Sequence, residues 1–322
     1  MKHEDFNPKV NEPIDLPERG SWPKSCHVFD ETSVWAVKAS LASGRPLLLR
    51  GEPGIGKSQL ARAVAEVLEA SFMPFVVQAG CESEDLLYKY DAVSRLAHAQ
   101  IAGSYAETPE EVKEELAAKK FIQPSVLWWA YHYESAKKQF DESGVPGTRP
   151  PYDKPNKGAV VLIDEIDKAD SSIPNSLLEA MANRGFRVEA TGEDVSIKNE
   201  NPPLIIITTN EERELPAAFV RRCLVVQMNF PGGDSAIKVL TDMAKVHFEE
   251  KDVDGELMTQ VAELLLEDRA EAKKLHVTPP GFSEYLDTLR ALKELHPGDK
   301  EKQEEALDKI ASFAFDKHPK HS

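Results

Sequence analysis

The sequence predicts an α/β fold, a five-stranded parallel sheet sandwiched by helices, followed by a small all-helical domain. Three observations lead there. Five short, largely apolar runs, at 47–49, 72–78, 159–163, 204–208 and 223–227, read as strands, and helical patterns separate them. The first run leads into Gly51-Glu52-Pro53-Gly54-Ile55-Gly56-Lys57-Ser58, which fits G-x-x-x-x-G-K-[ST] at every defined position. Beyond Pro231-Gly232-Gly233 only helical patterns in charged sequence remain, from about residue 234 to 318.

Taken in order, residues 1–24 are polar and punctuated by Pro8, Pro13, Pro17 and Pro23, and show neither helical nor strand period. They read either as an extended arm lying on a neighbour or as plain disorder. From Asp30 a helix with Val34, Ala36, Val37 and Leu41 leads through Ser43-Gly44-Arg45-Pro46 to Leu47-Leu48-Leu49, three leucines that read as a strand buried on both faces. Leu60, Val64 and Leu68 then repeat at helical spacing behind the glycine-rich loop. Phe72 to Gln78 reads as the second strand.

The acidic, helix-prone segment 102–120, with Glu107, Glu110, Glu111, Glu114 and Glu115, reads as an insertion between better-patterned helices. Val126-Leu127-Trp128-Trp129 with Tyr131 and Tyr133 forms an aromatic cluster. Stacking on bases is one use of such a cluster, but no basic residue follows before Lys137, and core packing is favoured. Residues 141–158 are rich in glycine and proline and read as a mobile surface loop. Ala159 to Ile163 is again a buried strand, ending at Asp164-Glu165-Ile166-Asp167.

A helix follows from near Pro174 to Arg184-Gly185. Phe186 to Ala190 and Val195 to Lys198 flank Thr191-Gly192-Glu193-Asp194 as a β-hairpin, about 186–198. Leu204 to Thr208 and Cys223 to Gln227 read as two more buried strands. The resulting boundaries are an arm over 1–24, a nucleotide-binding core over 25–232 and a helical lid over 234–318.

Composition narrows the function. With 41% hydrophobic and 29% charged residues the chain has the make-up of a soluble globular protein. No apolar run is long enough for a membrane span or signal peptide, so a cytoplasmic location is expected. Cys26, Cys81 and Cys223 stand far apart, outside any C-x-x-C pattern, which argues against zinc and disulfides. A formal charge of −16 makes nucleic acid a poor direct ligand.

The loop points to nucleotide. Its glycines let successive N–H groups face one concavity at a helix N-terminus, where phosphate is favoured by unpaired donors and by the helix dipole. Lys57 then reaches the β- and γ-phosphates of ATP and the Ser58 hydroxyl holds Mg²⁺, with Gln59 opening the helix behind them. Carboxyl ends of parallel strands share the ligand-binding edge of such sheets. There Asp164 is placed to hold Mg²⁺ and Glu165 to orient and deprotonate the attacking water. Asn210, past another strand, can polarise the same water; Arg221 and Arg222 can serve a neighbouring subunit's γ-phosphate.

These segments also carry a resemblance. Gly51 to Ser58, Leu162 to Asp170, Thr208 to Arg213 and Leu215 to Cys223 resemble AAA+ ATPases of the bacterial MoxR group, and Asp85 to Ala92 with Pro124 to Ala130 resemble a small single-module branch of its helix-2-insert clade. The resemblance spans about residues 26–292. It implies a P-loop NTPase fold with Gly51, Glu52, Pro53, Gly54, Ile55, Gly56, Lys57 and Ser58 as Walker A, Asp164 and Glu165 as Walker B, and Asn210 as first sensor. It further implies Arg221 and Arg222 as arginine fingers and Val28 and Phe29 flanking the adenine. Ring assembly, typically hexameric, is implied as well, with the insertion and hairpin at the central pore and a protein partner such as a von Willebrand factor A domain protein.

The pattern departs in one place. Thr278-Pro279-Pro280-Gly281-Phe282-Ser283 resembles the start of the second-sensor helix, yet Thr278, Gly281 and Ser283 carry no cation; Arg269 and Arg290 are the candidate substitutes. The favoured function is therefore a Mg²⁺-dependent ring ATPase that remodels or assembles a partner, chaperone-like. A nucleic-acid translocase on the same scaffold calls for basic residues at the pore, where the hairpin offers only Arg187 and Lys198. A nucleotide-gated scaffold with little turnover is the third reading. A signalling GTPase lacks its Asn-Lys-x-Asp segment, since Asn156-Lys157 continues with Gly158-Ala159.

Overall fold

The computed structural model describes residues 1–105, 108–145, 157–170, 172–197 and 202–315. Most of the glycine- and proline-rich loop, two residues of the acidic segment, Lys198 at the hairpin's end and the last few residues of the helical region lie outside them.

In chain order, β1 (Pro13–Leu16) and β2 (Ser25–Val28) precede α1 (Glu31–Ser43), β3 (Leu47–Arg50), α2 (Lys57–Val67) and β4 (Ser71–Val76). Next come β5 (Tyr88–Tyr90), α3 (Ala92–Tyr105), α4 (Pro109–Glu115), β6 (Ile122–Pro124), α5 (Val126–Tyr131) and α6 (Tyr133–Glu142). β7 (Ala159–Asp164), α7 (Ser172–Ala182), β8 (Gly185–Val188), β9 (Glu193–Ser196), β10 (Leu204–Thr209), α8 (Ala217–Arg222) and β11 (Leu224–Gln227) complete the α/β part. Four helices follow: α9 (Ala236–His247), α10 (Gly255–Lys274), α11 (Phe282–Leu295) and α12 (Lys300–Ala314).

The chain divides into two compact units, the first made of Met1–Pro8, Glu31–Arg50 and Val64–Val226, the second of Lys9–Asp30, Gly51–Ala63 and the residues from Gln227 on. The first unit holds the five-stranded parallel sheet, in the order β11-β3-β10-β7-β4. Ile207 sits opposite both Leu48 and Ile163, and Phe75 opposite Ile163 from the other side, so the carboxyl ends of these strands share one edge. Leu47 to Leu49 and Val160 to Ile163 are wholly buried, as strands covered on both faces must be. β4 ends the sheet, which is why it accommodates Pro74 and its missing donor.

The last run differs from expectation. Among the described residues β11 is not a buried strand but the opposite edge, with only β3 beside it, and Val225 is 43% exposed. The excursion after the second strand is also wider than the acidic segment: α3 and α4 rise from the antiparallel pair β5 and β6, so it runs from Tyr88 to Pro124. Trp128, Trp129 and Tyr131 are fully buried under the sheet with Leu48, Met73, Val161 and Ile207, which settles the aromatic cluster as core. Trp128 meets Tyr88 and Phe186 edge-on, with ring centroids 6.5 and 6.0 Å away. The hairpin forms as β8 and β9, with Phe186 opposite Val195.

The second unit departs most from the sequence-based boundaries. Its four helices close over Leu240, Leu257, Val261, Leu265, Tyr285, Leu289 and Leu307. Grouped with them is Lys9–Asp30, which takes in most of the segment read as an arm or as disorder: β1 and β2 pair antiparallel, Ile14 opposite His27. This segment is held from α2, where buried Arg62 donates to Pro17 O at 2.8 Å and Pro23 O at 3.2 Å and faces the Trp22 ring at 5.4 Å.

His27 gives this unit a pH dependence. Its Nε2 is buried with no hydrogen-bond partner among the described residues, and burial pushes its pKa from the ordinary 6.5 down to about 4, against the opposing pull of Asp30. The folded protein keeps the ring neutral while the unfolded chain takes up a proton below about pH 6.5. Stability from this residue is therefore complete above that pH and is lost as pH falls towards 4, by about 3 kcal/mol. Denaturation at pH 7.5 and 4.5 measures it: His27→Phe should lose less stability over that interval than the parent protein.

Candidate active site

The phosphate loop begins where β3 ends, and three of its glycines hold backbone conformations that side chains resist: φ is +150° at Gly51, +73° at Gly54 and +95° at Gly56. At Gly51 a Cβ would also run into Met228 O. Lys57, 6% exposed, donates from Nζ to Gly51 O at 2.7 Å and Glu52 O at 2.8 Å, so its ammonium is folded over the loop's own carbonyls. α2 opens at Lys57, which puts Ser58 and Gln59 in its first turn, among N–H groups with no intrahelical acceptor. Gln59 Oε1 accepts from Arg62 Nη1 at 3.1 Å.

At the carboxyl edge of the sheet, one hydroxyl ties two carboxylate residues together. Thr208 Oγ1, on β10, donates to Asp164 Oδ1 at 2.5 Å and accepts from Glu165 N at 2.9 Å. Glu165 itself is left-handed, with φ +60° and ψ +49°, a conformation a non-glycine residue adopts at some cost and one that turns its side chain out of the strand's line. Its Oε1 accepts from Asn210 Nδ2 at 3.4 Å and its Oε2 is paired with Lys168 Nζ at 2.5 Å. That contact is also what raises the Lys168 pKa. Asp167, 2% exposed, anchors the loop after β10 by accepting from Asn210 N at 3.2 Å and Glu212 N at 3.0 Å.

The structure thus brings Asp164, Glu165 and Asn210 together, as their places at strand ends suggested. Thr208, Asp167 and Lys168 were not singled out by sequence. Thr208 and Asp167 lie inside the segments that point to the chemistry, and only the pairing of β7 with β10 gives them their task.

Arg221 and Arg222 stand exposed in the last turn of α8. Their backbone is stapled by Arg45, which donates to Arg221 O at 2.5 Å, Arg222 O at 3.1 Å and Cys223 O at 2.9 Å. Arg221 lines a surface cavity of about 480 Å³ with Arg50, Thr209, Glu211 and Arg213. Both guanidinium groups are thus presented outward by a fixed backbone, as groups that serve another molecule need to be.

Of the pair implied at the adenine, Val28 ends β2 half-buried, whereas Phe29 is 0% exposed with its ring 4.8 Å from His27. Val28 is therefore the one with side-chain surface to offer. Of the two substitute cations, Arg290 is paired with Asp287 at 2.5 Å on the surface, while Arg269 is buried and paired with Glu52 of the phosphate loop at 2.5 Å.

The donors nominated for Mg²⁺, the Ser58 hydroxyl and the Asp164 carboxylate, are hard oxygens of the right class. Among the described residues no group of three or more His, Cys, Asp or Glu is arranged to hold a metal.

Residues 46–223, more than half of the chain's 322 residues, match the AAA domain family, dynein-related subfamily. No curated protein matches the sequence. Among solved structures, a protein from Cytophaga hutchinsonii provisionally described as an ATPase is similar at 14% identity, over 87% of this chain and 79% of that one, with a TM-score of 0.38. A RuvB point mutant from Thermotoga maritima is similar at 13% identity, over 87% and 74% of the two chains, with a TM-score of 0.35. No helix among the described residues is long and apolar enough to cross a membrane.

Proposed function

The chain belongs to the AAA domain family, dynein-related subfamily, and on that premise we propose that it is a Mg²⁺-dependent ATPase that assembles as a ring, typically hexameric, and remodels or assembles a partner protein in the manner of the MoxR group. A von Willebrand factor A domain protein is the partner class that the resemblance favours. The N–H groups of Gly54 to Ser58 and the Lys57 ammonium hold the phosphates; Ser58 and Asp164 would hold Mg²⁺, which would offset the charge on the phosphate oxygens. Glu165 accepts the proton of the attacking water and Asn210 orients that water. Arg221 or Arg222 serves the neighbouring protomer.

One observation carries the hydrolytic part: Glu165 is held in a left-handed backbone conformation with its carboxylate beside Asn210. A left-handed non-glycine residue at the end of a buried strand, with its carboxylate beside a polar amide, is the kind of backbone strain associated with function. A nucleotide-gated scaffold remains the second reading, because the Lys168 ammonium occupies the same carboxylate.

Turnover measured across a protein concentration series, with the assembly state recorded alongside, separates the two. The ATPase reading expects specific activity to rise as oligomers form, since nucleotide shared between protomers stabilises the ring by mass action. Negligible turnover at every concentration, in protein that binds ATP, supports the scaffold.

A further inference from the structure

Within the second unit the phosphate loop is gripped by contacts that the motif itself does not require. Arg269 projects from α10 with its side chain 5% exposed and donates from Nη2 to Glu52 Oε2 at 2.5 Å. Its Nη1 donates to Pro280 O, and its guanidinium lies 3.6 Å from the centre of the Phe230 ring. Just beyond Pro280, Ser283 N and Oγ both donate to Gly54 O, at 3.2 and 3.3 Å. A Cβ at Gly281 would lie 2.6 Å from Pro53 O, so the turn before α11 rests directly on loop backbone.

Glu52 is the residue that needs explaining, because it places a carboxylate in a loop whose N–H groups are arranged for anionic phosphate. Unpaired, that charge opposes the ligand. Paired with Arg269 it is neutralised, and its backbone carbonyl is left to accept from Lys57 Nζ at 2.8 Å. Dependence runs both ways, since a guanidinium this deeply buried is strongly disfavoured without a counter-charge. A planar fork, gripping Glu52 and Pro280 O at once while stacking on Phe230, is a task for arginine rather than lysine.

We propose that Arg269 is a positioning residue that acts on the phosphate loop through Glu52: it cancels the Glu52 charge, so that nucleotide affinity depends on this ion pair. The cation missing from Thr278, Gly281 and Ser283 is thereby supplied from the preceding helix, acting on the loop. The inference rests on the reading of the loop as an ATP site.

The test titrates a fluorescent ATP analogue, with Mg²⁺, into the full-length parent, Arg269→Met, and Arg269→Met combined with Glu52→Gln, with thermal unfolding followed for each. Met keeps length and apolar contact with Phe230. Arg269→Met should bind about tenfold or more weakly, the equivalent of one charge-assisted hydrogen bond. Removing the stranded charge in the double variant should restore binding to within about threefold of the parent, which a purely structural role would not produce.

If the parent itself fails to bind, the ATP reading falls. If the parent binds and Arg269→Met binds equally well, or the double variant is as weak as the single, the positioning role is overturned. Should Arg269→Met not fold, the double variant, which contains no unpaired buried charge, decides alone: parent-like affinity supports the proposal and a tenfold loss overturns it.

Discussion

Glu165→Gln is expected to lower ATP turnover by about 10²–10⁴-fold, the range for loss of a general base, while nucleotide binding persists. The amide keeps the size of the side chain and can still bond Asn210, which now stands 3.4 Å from the carboxylate, so the backbone set by Thr208 and Asp167 is left alone. What is lost is the capacity to take up a proton. The ion pair with Lys168 is lost too, but both partners are substantially exposed and the pair adds little to stability. Turnover and binding measured on the same preparation give the answer: equal loss of both would mean that Glu165 holds nucleotide rather than activating water.

The double change Arg221→Ala with Arg222→Ala is expected to cost about 10³-fold or more in turnover, the scale of an arginine finger. Stability should hardly move. Both side chains are exposed, and the α8 terminus is fixed through its carbonyls by Arg45, whose bonds do not involve the arginine side chains. A protein with unchanged unfolding temperature and lost turnover would therefore separate this role from a structural one. On the proposed role, in which the guanidinium groups serve another protomer, the loss should appear only in assembled protein.

Much of this architecture is legible in the sequence because its signals are local and agree with one another. Leu47 to Leu49 and Val160 to Ile163 are too apolar for anything but strands covered on both faces, and Gly51, Gly54 and Gly56 fall where φ must be positive. Asp164, Glu165 and Asn210 stand out in the sequence because the ends of parallel strands at one sheet edge are where ligands of such folds bind. Long-range partners are another matter. Nothing near Arg62 announces that it binds the carbonyls of Pro17 and Pro23, some forty positions earlier, and so turns an apparently unstructured segment into a paired hairpin.

Likewise, Arg269 lies on a helix whose pattern explains only its apolar residues, while its partner Glu52 lies 217 positions away. The edge position of β11 was hidden for a related reason: Val225 and Val226 look the same to a local reading whether one neighbour or two flank the strand. Thr208 reads as the last residue of an apolar run, and its part in aligning Asp164 and Glu165 exists only once β10 lies beside β7.

On the proposed mechanism catalysis needs Glu165 of one protomer and the arginines of another, and mixing two inactive variants puts that composite site to the test. Glu165→Gln protein and Arg221→Ala, Arg222→Ala protein, each inactive alone, are combined over a range of ratios while turnover is followed. A protomer of the second kind keeps Glu165 and can take its arginines from a neighbour of the first kind, so activity should reappear, peak at intermediate ratios and vanish at either extreme. Mixtures that form joint assemblies yet stay inactive at every ratio would contradict the composite site.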